Sequence, residues 1–446
     1  MSGESGLPFD FERCREHIHA GARANWRGKV ERVSGVLVEA QGVPSSMGEL
    51  CLIERGPLSP IQAEVVGFRG NQTLLMPHGE LDGIGPQQTV TTLRHAFTTP
   101  VGSALLGRAL DGFGHPIDGG APLPDGLDRR RVRNVAPAPL SRKPIREPLQ
   151  TGVRAIDGLC TLGRGQRLGI FSGSGVGKST LLGQITRGTN ADVLVVALVG
   201  ERGREVRNFL EDVLDEEARK KTVMVVATSD RPPIERYLAP FVAVTIAEYF
   251  RDQHSDVLMV MDSVTRFAAA CREIGLAAGE PPTVRGYPPS FFATVPKLVE
   301  RLGSSQHGSI TGLMTVLLDA DDPNEPVADT LRGLLDGHIF LSRELAHRAH
   351  FPAIDVLASL SRLMPEITSP EHRVAANAIR QCLAHWKEGR DLVEIGAYKQ
   401  GTNPQLDRAM LLMPVINAFL KQEVDDRTSF EEMLGMVHAI QGAGAA

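Results

Sequence analysis

The stretch GIFSGSGVGKSTLL, Gly169 to Leu182, decides how this chain folds. The apolar run from Leu168 to Phe171 reads as a buried strand, Ser172 to Gly177 as a Gly-rich loop, and Lys178 onward as the start of a helix. That order builds a phosphate cradle. Its glycines let successive backbone N–H groups turn toward one anionic ligand, Lys178 reaches the β- and γ-phosphates, and the Ser179 hydroxyl ligates Mg²⁺. The pattern asks for Gly where this chain has Ser172, a residue that costs some backbone freedom but fits a small-residue turn. Lys178 is expected to be solvated until nucleotide arrives.

Around the cradle lies an ordinary globular composition. The 446 residues are 42% hydrophobic and 23% charged, enough for two or three domains. A net charge of −5 leaves no electrostatic footprint for nonspecific nucleic-acid binding, and no nucleic-acid partner is expected. The run Arg129, Arg130, Arg131 and Arg133 reads as a solvated linker face. Five scattered cysteines show neither a disulfide framework nor zinc-ligand spacing, which points to a reducing compartment. With no signal-like segment and no apolar run near the ~20 residues of a membrane span, a cytoplasmic protein is expected, one that docks peripherally on a membrane complex.

Taken in order, residues 1–24 carry Leu7, Phe11, Cys14 and Ile18 on one helical stripe, suited either to the chain's own body or to a partner. Residues 25–95 change to short β-rich runs broken by Gly and Pro, which suggests a small barrel or sandwich. A Pro/Gly-rich passage from Asp111 to Pro148 reads as an extended linker. Strands then alternate with helices, implying right-handed crossovers and a mostly parallel sheet with ligands at the strands' C-terminal ends. Beyond about residue 366 the pattern is helical. The fold class is therefore α/β, with a nucleotide-binding core over residues 96–365 and a helical domain over 366–446.

Three residues outside the cradle carry chemistry. Asp262 follows the apolar run VLMVM, where a parallel strand delivers a carboxylate to hold Mg²⁺; the alternative is a helix N-cap. Glu201 ends the strand in VALVGERG, where a carboxylate can orient and deprotonate the attacking water; the alternative is a surface salt bridge within ERGRE. Arg362 closes PAIDVLASLSR and offers a planar cation for transition-state charge, although alone such an Arg is more often a structural ion-pair partner.

Together PLQTGVRAIDGL, FSGSGVGKST, LVGERGREV, MDSVTRFA, GEPPTVRGYPPSFFA, DDPNEPVADTLRGLLDGHIFLSREL and PAIDVLASLS resemble the family of rotary ATP synthase catalytic subunits. More closely they resemble the type III protein-export ATPases of flagella and injectisomes, from about Gly28 to the C-terminal helices. The resemblance implies an N-terminal β-barrel, a RecA-like P-loop core and a C-terminal helical domain, assembled as a homo-hexamer. It implies ATP and Mg²⁺ as ligands, with phosphate binding at Gly173, Ser174, Gly175, Val176, Gly177, Lys178, Ser179 and Thr180. Lys178, Glu201 with its neighbour Arg202, Asp262 and Arg362 become the catalytic set, Arg362 as a finger given to the next subunit, and Ser179 and Asp262 the metal ligands. Phe351, and less directly Tyr398, fall where an aromatic stacks on adenine; either also suits a core.

Implied partners are a regulator or stator on the N-terminal segment, a central stalk, export chaperone–substrate complexes and, indirectly, a membrane export gate. The segment GAYKQGTNPQLDRAM leans to the flagellar branch. Two rivals share the core. An RNA-translocating terminator would carry aromatics among basic residues near the N-terminus, where residues 28–93 hold only Phe68. A non-catalytic regulatory ring subunit would lack the carboxylate that Glu201 supplies.

Overall fold

A computed structural model describes residues 26–319, 322 and 324–443; the expected stripe of Leu7, Phe11, Cys14 and Ile18 lies outside them. The chain divides between Phe97 and Thr98 into two compact units.

The first unit is a closed barrel of six antiparallel strands: β1 Arg27–Ser34, β2 Leu37–Gln41, β3 Glu49–Arg55, β4 Leu58–Arg69, β5 Gln72–Pro77 and β6 Thr89–Ala96, in the order β1-β2-β5-β4-β3-β6. Alternation along each strand turns Val30, Val38, Ile53, Val65, Leu75 and Val90 inward to fill it. Three of its hairpins close through two-residue loops that begin at Gly35, Gly56 and Gly70, all at φ 58. A side chain at those positions would strain the left-handed turn that matches strand twist.

The second unit is built on one large sheet. Its main path runs Ile354–Ser361, Gly337–Leu341, Arg167–Ser172, Ser309–Leu317, Asp256–Asp262, Val193–Val199, Thr222–Ala227 and Ala109–Asp111. Neighbours on this path pair in parallel except at the first edge, where Ile354–Ser361 runs antiparallel to Gly337–Leu341. Central strands are buried on both faces and so read as unbroken apolar runs, Val193–Val199 above all. The helical C-terminal domain shares the core of this unit. Ala155, Ile156 and Leu159 of the helix Arg154–Leu159 lie in one hydrophobic cluster with Ile379, Ile416 and Val437 from the helices Pro370–Glu394, Pro404–Leu420 and Phe430–Ala443.

The stretch joining the second and third of these helices crosses beneath the cradle. Arg154 donates to Phe419 O at 2.9 Å and to Asp426 Oδ2 at 2.8 Å, while Gln422 Nε2 donates to Gly152 O at 2.7 Å. From the cradle helix Lys178–Gly188, Gln184 donates to Glu423 O at 3.0 Å and Arg187 to Val424 O at 3.0 Å.

The arginine run is solvent-facing at Arg129, Arg131 and Arg133, but it belongs to a strand and not to a free linker. Residues Asp128–Arg131 pair with Thr98–Val101, and Arg130 and Arg133 reach the long helix Pro233–Asp252. Arg130 bonds Asp252 at 2.7 Å with its guanidinium 5.3 Å over the Tyr249 ring, and Arg133 lies over Tyr237 at the same distance. Beneath them Arg301, only 1% exposed, forks onto both oxygens of Glu248 at 2.8 Å and donates to Val132 O at 2.7 Å. The expected linker is thus clasped at Val132 by a buried ion pair. Losing one partner leaves a desolvated charge, so Arg301→Met is expected to cost ~3–5 kcal/mol and the double change Arg301→Met, Glu248→Leu to cost less than either single one. Denaturant unfolding of the three variants checks the order.

Candidate active site

The P-loop strand Arg167–Ser172 lies between two parallel neighbours and delivers the loop at the C-terminal edge of the sheet. Gly175 and Gly177 take φ of 77 and 93, and Gly177 caps the helix Lys178–Gly188. Ser172 is absent from the positive-φ positions, so a side chain costs the backbone nothing there; its hydroxyl is fully buried and without a hydrogen-bond partner among the described residues, while its carbonyl accepts from Leu318 N at 2.9 Å.

Register brings the carboxylates to the same edge. Leu198 pairs with Asp262, and Gly200, at φ 70, turns the chain so that Glu201 follows at the mouth of the next strand. A Cβ at Gly200 would stand 2.7 Å from that of Arg266, so the turn admits only glycine. The Glu201 backbone is fixed by Ser229 N donating to its carbonyl at 3.1 Å.

Lys178 Nζ is hydrogen-bonded to Asp262 Oδ1 and stands 3.6 Å from Glu201 Oε1, with its side chain 11% exposed. It is therefore ion-paired, not solvated, because two buried carboxylates supply the counter-charge that water would otherwise supply. Asp262 also accepts from Thr315 Oγ1 at 2.7 Å. The N-cap of the following helix is Ser263, whose side chain accepts from Arg266 N, which leaves the Asp262 carboxylate to the site.

Glu201 is 8% exposed, and among the described residues its Oε1 has no hydrogen-bond partner. Burial, a hydrogen bond with Glu205 and the nearby charge of Asp262 raise its carboxyl to about 7 against the pull of Lys178. Glu205, exposed and accepting that bond, is shifted down. Of the two carboxyl groups, Glu201 is the one that keeps a proton to the higher pH. Ser179, Glu201, Glu205, Asn208 and Asp262 line a cleft of about 140 Å³. Arg202 is exposed at the N-cap of the helix Gly203–Asn208, with its charge on Glu205.

Phe351 stands half-exposed beside the loop, its ring 3.6 Å from where a Cβ of Gly177 would be. Its carbonyl accepts from Gln422 N at 2.9 Å, and nearby Arg343 donates to Ser174 O at 3.3 Å. Tyr398 is not brought to the cradle. It lies in the turn after the helix Pro370–Glu394, where its hydroxyl bonds Asp407 at 2.9 Å and Asn403 O at 3.0 Å.

Arg362 is at the opposite edge of the sheet. Because its strand runs antiparallel, Ser361 pairs with Gly337, and Arg362 N donates to Asp336 O beside Arg167, the first residue of the P-loop strand. Five strand steps from Arg167 to Ser172 span about 17 Å, beyond the reach of any arginine side chain toward its own cradle. Its exposed guanidinium bonds Arg332 O at 3.3 Å.

Thr315, Glu205, Asn208 and Arg343 escaped the sequence reading. A signal existed for Thr315, the one hydroxyl in the apolar run GLMTVLL.

Residues 152–361 match the model of the ATP synthase alpha/beta family, nucleotide-binding domain, residues 30–94 its beta-barrel domain, and residues 368–439 the type III secretion EscN ATPase C-terminal domain. The flagellum-specific ATP synthase of Bacillus subtilis is 50% identical over 93% of this chain and 95% of its own length. A type 3 secretion system ATPase of Xanthomonas euvesicatoria is 49% identical over 93% of each chain. Among solved structures, the assembled ATPase EscN from the enteropathogenic E. coli type III secretion system superposes with a TM-score of 0.89 at 44% identity, over 93% of this chain and 99% of that one. The same ATPase in complex with its central stalk EscO gives 0.86 at the same identity and coverage.

Proposed function

Because this chain belongs to the ATP synthase alpha/beta family, in the branch of flagellar and type 3 secretion export ATPases, it is an ATPase of type III protein export, and we propose how its residues carry out the hydrolysis. The observation that carries the proposal is the meeting of Lys178, Glu201 and Asp262 at one cleft under the P-loop.

ATP seats its phosphates on the backbone N–H groups of residues 173–180, and Lys178 exchanges Asp262 for the β- and γ-phosphates. That exchange frees a carboxylate just where a cation is wanted. The donor set fits Mg²⁺: the Ser179 hydroxyl and the Asp262 carboxylate face one cleft, and a Mg²⁺ site is ordinarily completed by substrate phosphate and water. When bound, Mg²⁺ neutralises charge on the phosphates. Thr315 keeps the Asp262 carboxylate oriented. Glu201, once ionised, orients and deprotonates the attacking water, and Glu205 is placed to share the proton. Phe351 stacks on the base. Arg362 serves the next subunit of a six-membered ring, a reading supported by its distance from its own cradle and by the assembled form in which EscN is described.

Tyr398 is given no part in nucleotide binding. A central stalk is supported by the EscN–EscO complex. To it we add a regulator on residues 1–24, chaperone–substrate complexes, and peripheral placement at the cytoplasmic face of the export apparatus. Among the described residues no helix is long and apolar enough to cross a membrane.

The pH profile tests the base. Below about 7 Glu201 holds its proton and accepts none, so kcat/KM for ATP is expected to fall about tenfold per pH unit there and to level off above it. Glu201→Gln is expected to lose about 10²- to 10⁴-fold and the limb with it. A limb that persists in this variant belongs to another group.

Phe351→Ala is expected to raise KM for ATP several-fold with little change in kcat, since base stacking of about 1–3 kcal/mol is made equally in ground and transition states. Steady-state kinetics with ATP and with tripolyphosphate, which has no base to lose, separate stacking from a general loosening of the loop.

A further inference from the structure

A hollow in the second unit stands apart from the nucleotide cleft. It lies on the other side of the segment that carries Phe351, between the short helix Arg343–His347, the edge strand Ile354–Ser361 and the helices Pro370–Glu394 and Pro404–Leu420. Its volume is about 390 Å³, the size of a small-molecule site and more than ten times the ~30 Å³ share of one water. Leu345, Leu383, Trp386, Met413 and Leu420 give it an apolar patch within a wall that also carries charged residues of both signs.

One wall residue has chemistry with nothing to spend it on. His350 is 7% exposed, and among the described residues its ring makes no hydrogen bond; only its backbone N–H is used, donating to Leu345 O at 3.0 Å. The imidazole lines the hollow, so its ring nitrogens are available to a group bound there. Burial first, and then the positive charge of Lys421, shift the ring toward its neutral form, which can donate one hydrogen bond and accept another. Two of the three acids that line the hollow are committed elsewhere: Glu344 pairs with Arg348 at 2.8 Å and Arg390 at 3.3 Å, and Asp355 Oδ1 accepts the N–H groups of Leu357 and Ala358 at 3.0 Å each; the third is Asp391.

We propose that this hollow binds a small anionic amphiphile, its carboxylate or phosphate head between His350 and Lys421 and its apolar body against Trp386, Leu383 and Met413. His350 and Lys421 stand in the same hollow as the apolar patch of Leu383, Trp386 and Met413, and a polar pair beside an apolar surface orients such a ligand. The site is independent of the roles given to the P-loop residues.

The chain reports on itself, because it has two tryptophans and replacing Trp26 by Phe leaves Trp386 alone. Full-length protein with that change is titrated with decanoate, with octyl phosphate and with decyltrimethylammonium, all below micelle-forming concentrations. Saturable change in Trp386 emission at one site per chain is expected with at least one anion and not with the cation. His350→Leu and Lys421→Met are each expected to weaken binding about tenfold, the worth of one charge-assisted hydrogen bond, with the melting temperature unmoved. Should His350→Leu fail to fold, Lys421→Met, altered only at an exposed side chain, carries the test. No saturable response, a response to the cation equal to that of the anions, or an affinity untouched in folded variants overturns the proposal.

Discussion

Lys178→Ala is expected to lower ATP turnover by about 10³-fold or more, the cost of losing a preorganised cation from developing phosphoryl charge. The structure adds a second expectation. Lys178 pairs with both Asp262 and Glu201, so its removal leaves two carboxyl groups in the cleft without the cation they share. Like charges so placed cannot both stay ionised, and the proton already favoured on Glu201 is held more tightly. Folding is therefore expected to survive through protonation, with the melting temperature falling more at pH 8.5 than at pH 6. Phosphate release and melting at the two pH values check both halves. Near wild-type turnover in a folded variant removes Lys178 from the mechanism, and a pH-independent melting change removes the charge argument.

Arg362→Lys is expected to lose on the order of 10³-fold in rate, since the ammonium keeps the charge but not the planar fork. Its location makes a sharper test available. Glu201→Gln subunits keep their finger and lose their base; Arg362→Lys subunits do the reverse. In rings mixed equally and at random, about a quarter of interfaces pair an intact Glu201 with an intact neighbouring Arg362, and turnover is expected to return in part. ATP held well below the number of sites keeps sequential firing from masking the recovery. Tagged co-purification shows whether mixed rings form. If they form and single-site turnover stays at the level of the separate variants, Arg362 does not act across the boundary.

The strand–loop–helix at Gly169 to Leu182 was legible because its signals are local: apolar run, glycines, lysine and hydroxyl stand in consecutive residues. Asp262 and Glu201 were legible for a related reason, since each is the polar residue at which a buried parallel strand emerges. What escaped depends on partners distant in sequence. The Arg301–Glu248 clasp joins residues 53 apart, and nothing near either one announces the other, so the passage it holds at Val132 read as a free linker. Lys178 read as solvated because its two counter-ions come from other strands. Tyr398 shows the converse: an aromatic has no address in sequence, and this one is spent on capping the turn at Asn403 and Asp407. The far-edge position of Arg362 follows from the direction of a single strand, which periodicity does not encode.

The segment from Phe419 to Asp426 bonds to Gly152 and Arg154, to the cradle helix through Gln184 and Arg187, and to Phe351 through Gln422. Seen as a machine part, it is a tie-rod with one end on the nucleotide's seat and the other on the last two helices. Mechanical load applied to those helices is then felt as a change in how tightly ATP is held. Linkage makes the traffic two-way: whatever free energy a docked partner takes from nucleotide affinity, nucleotide binding returns to the partner in equal measure.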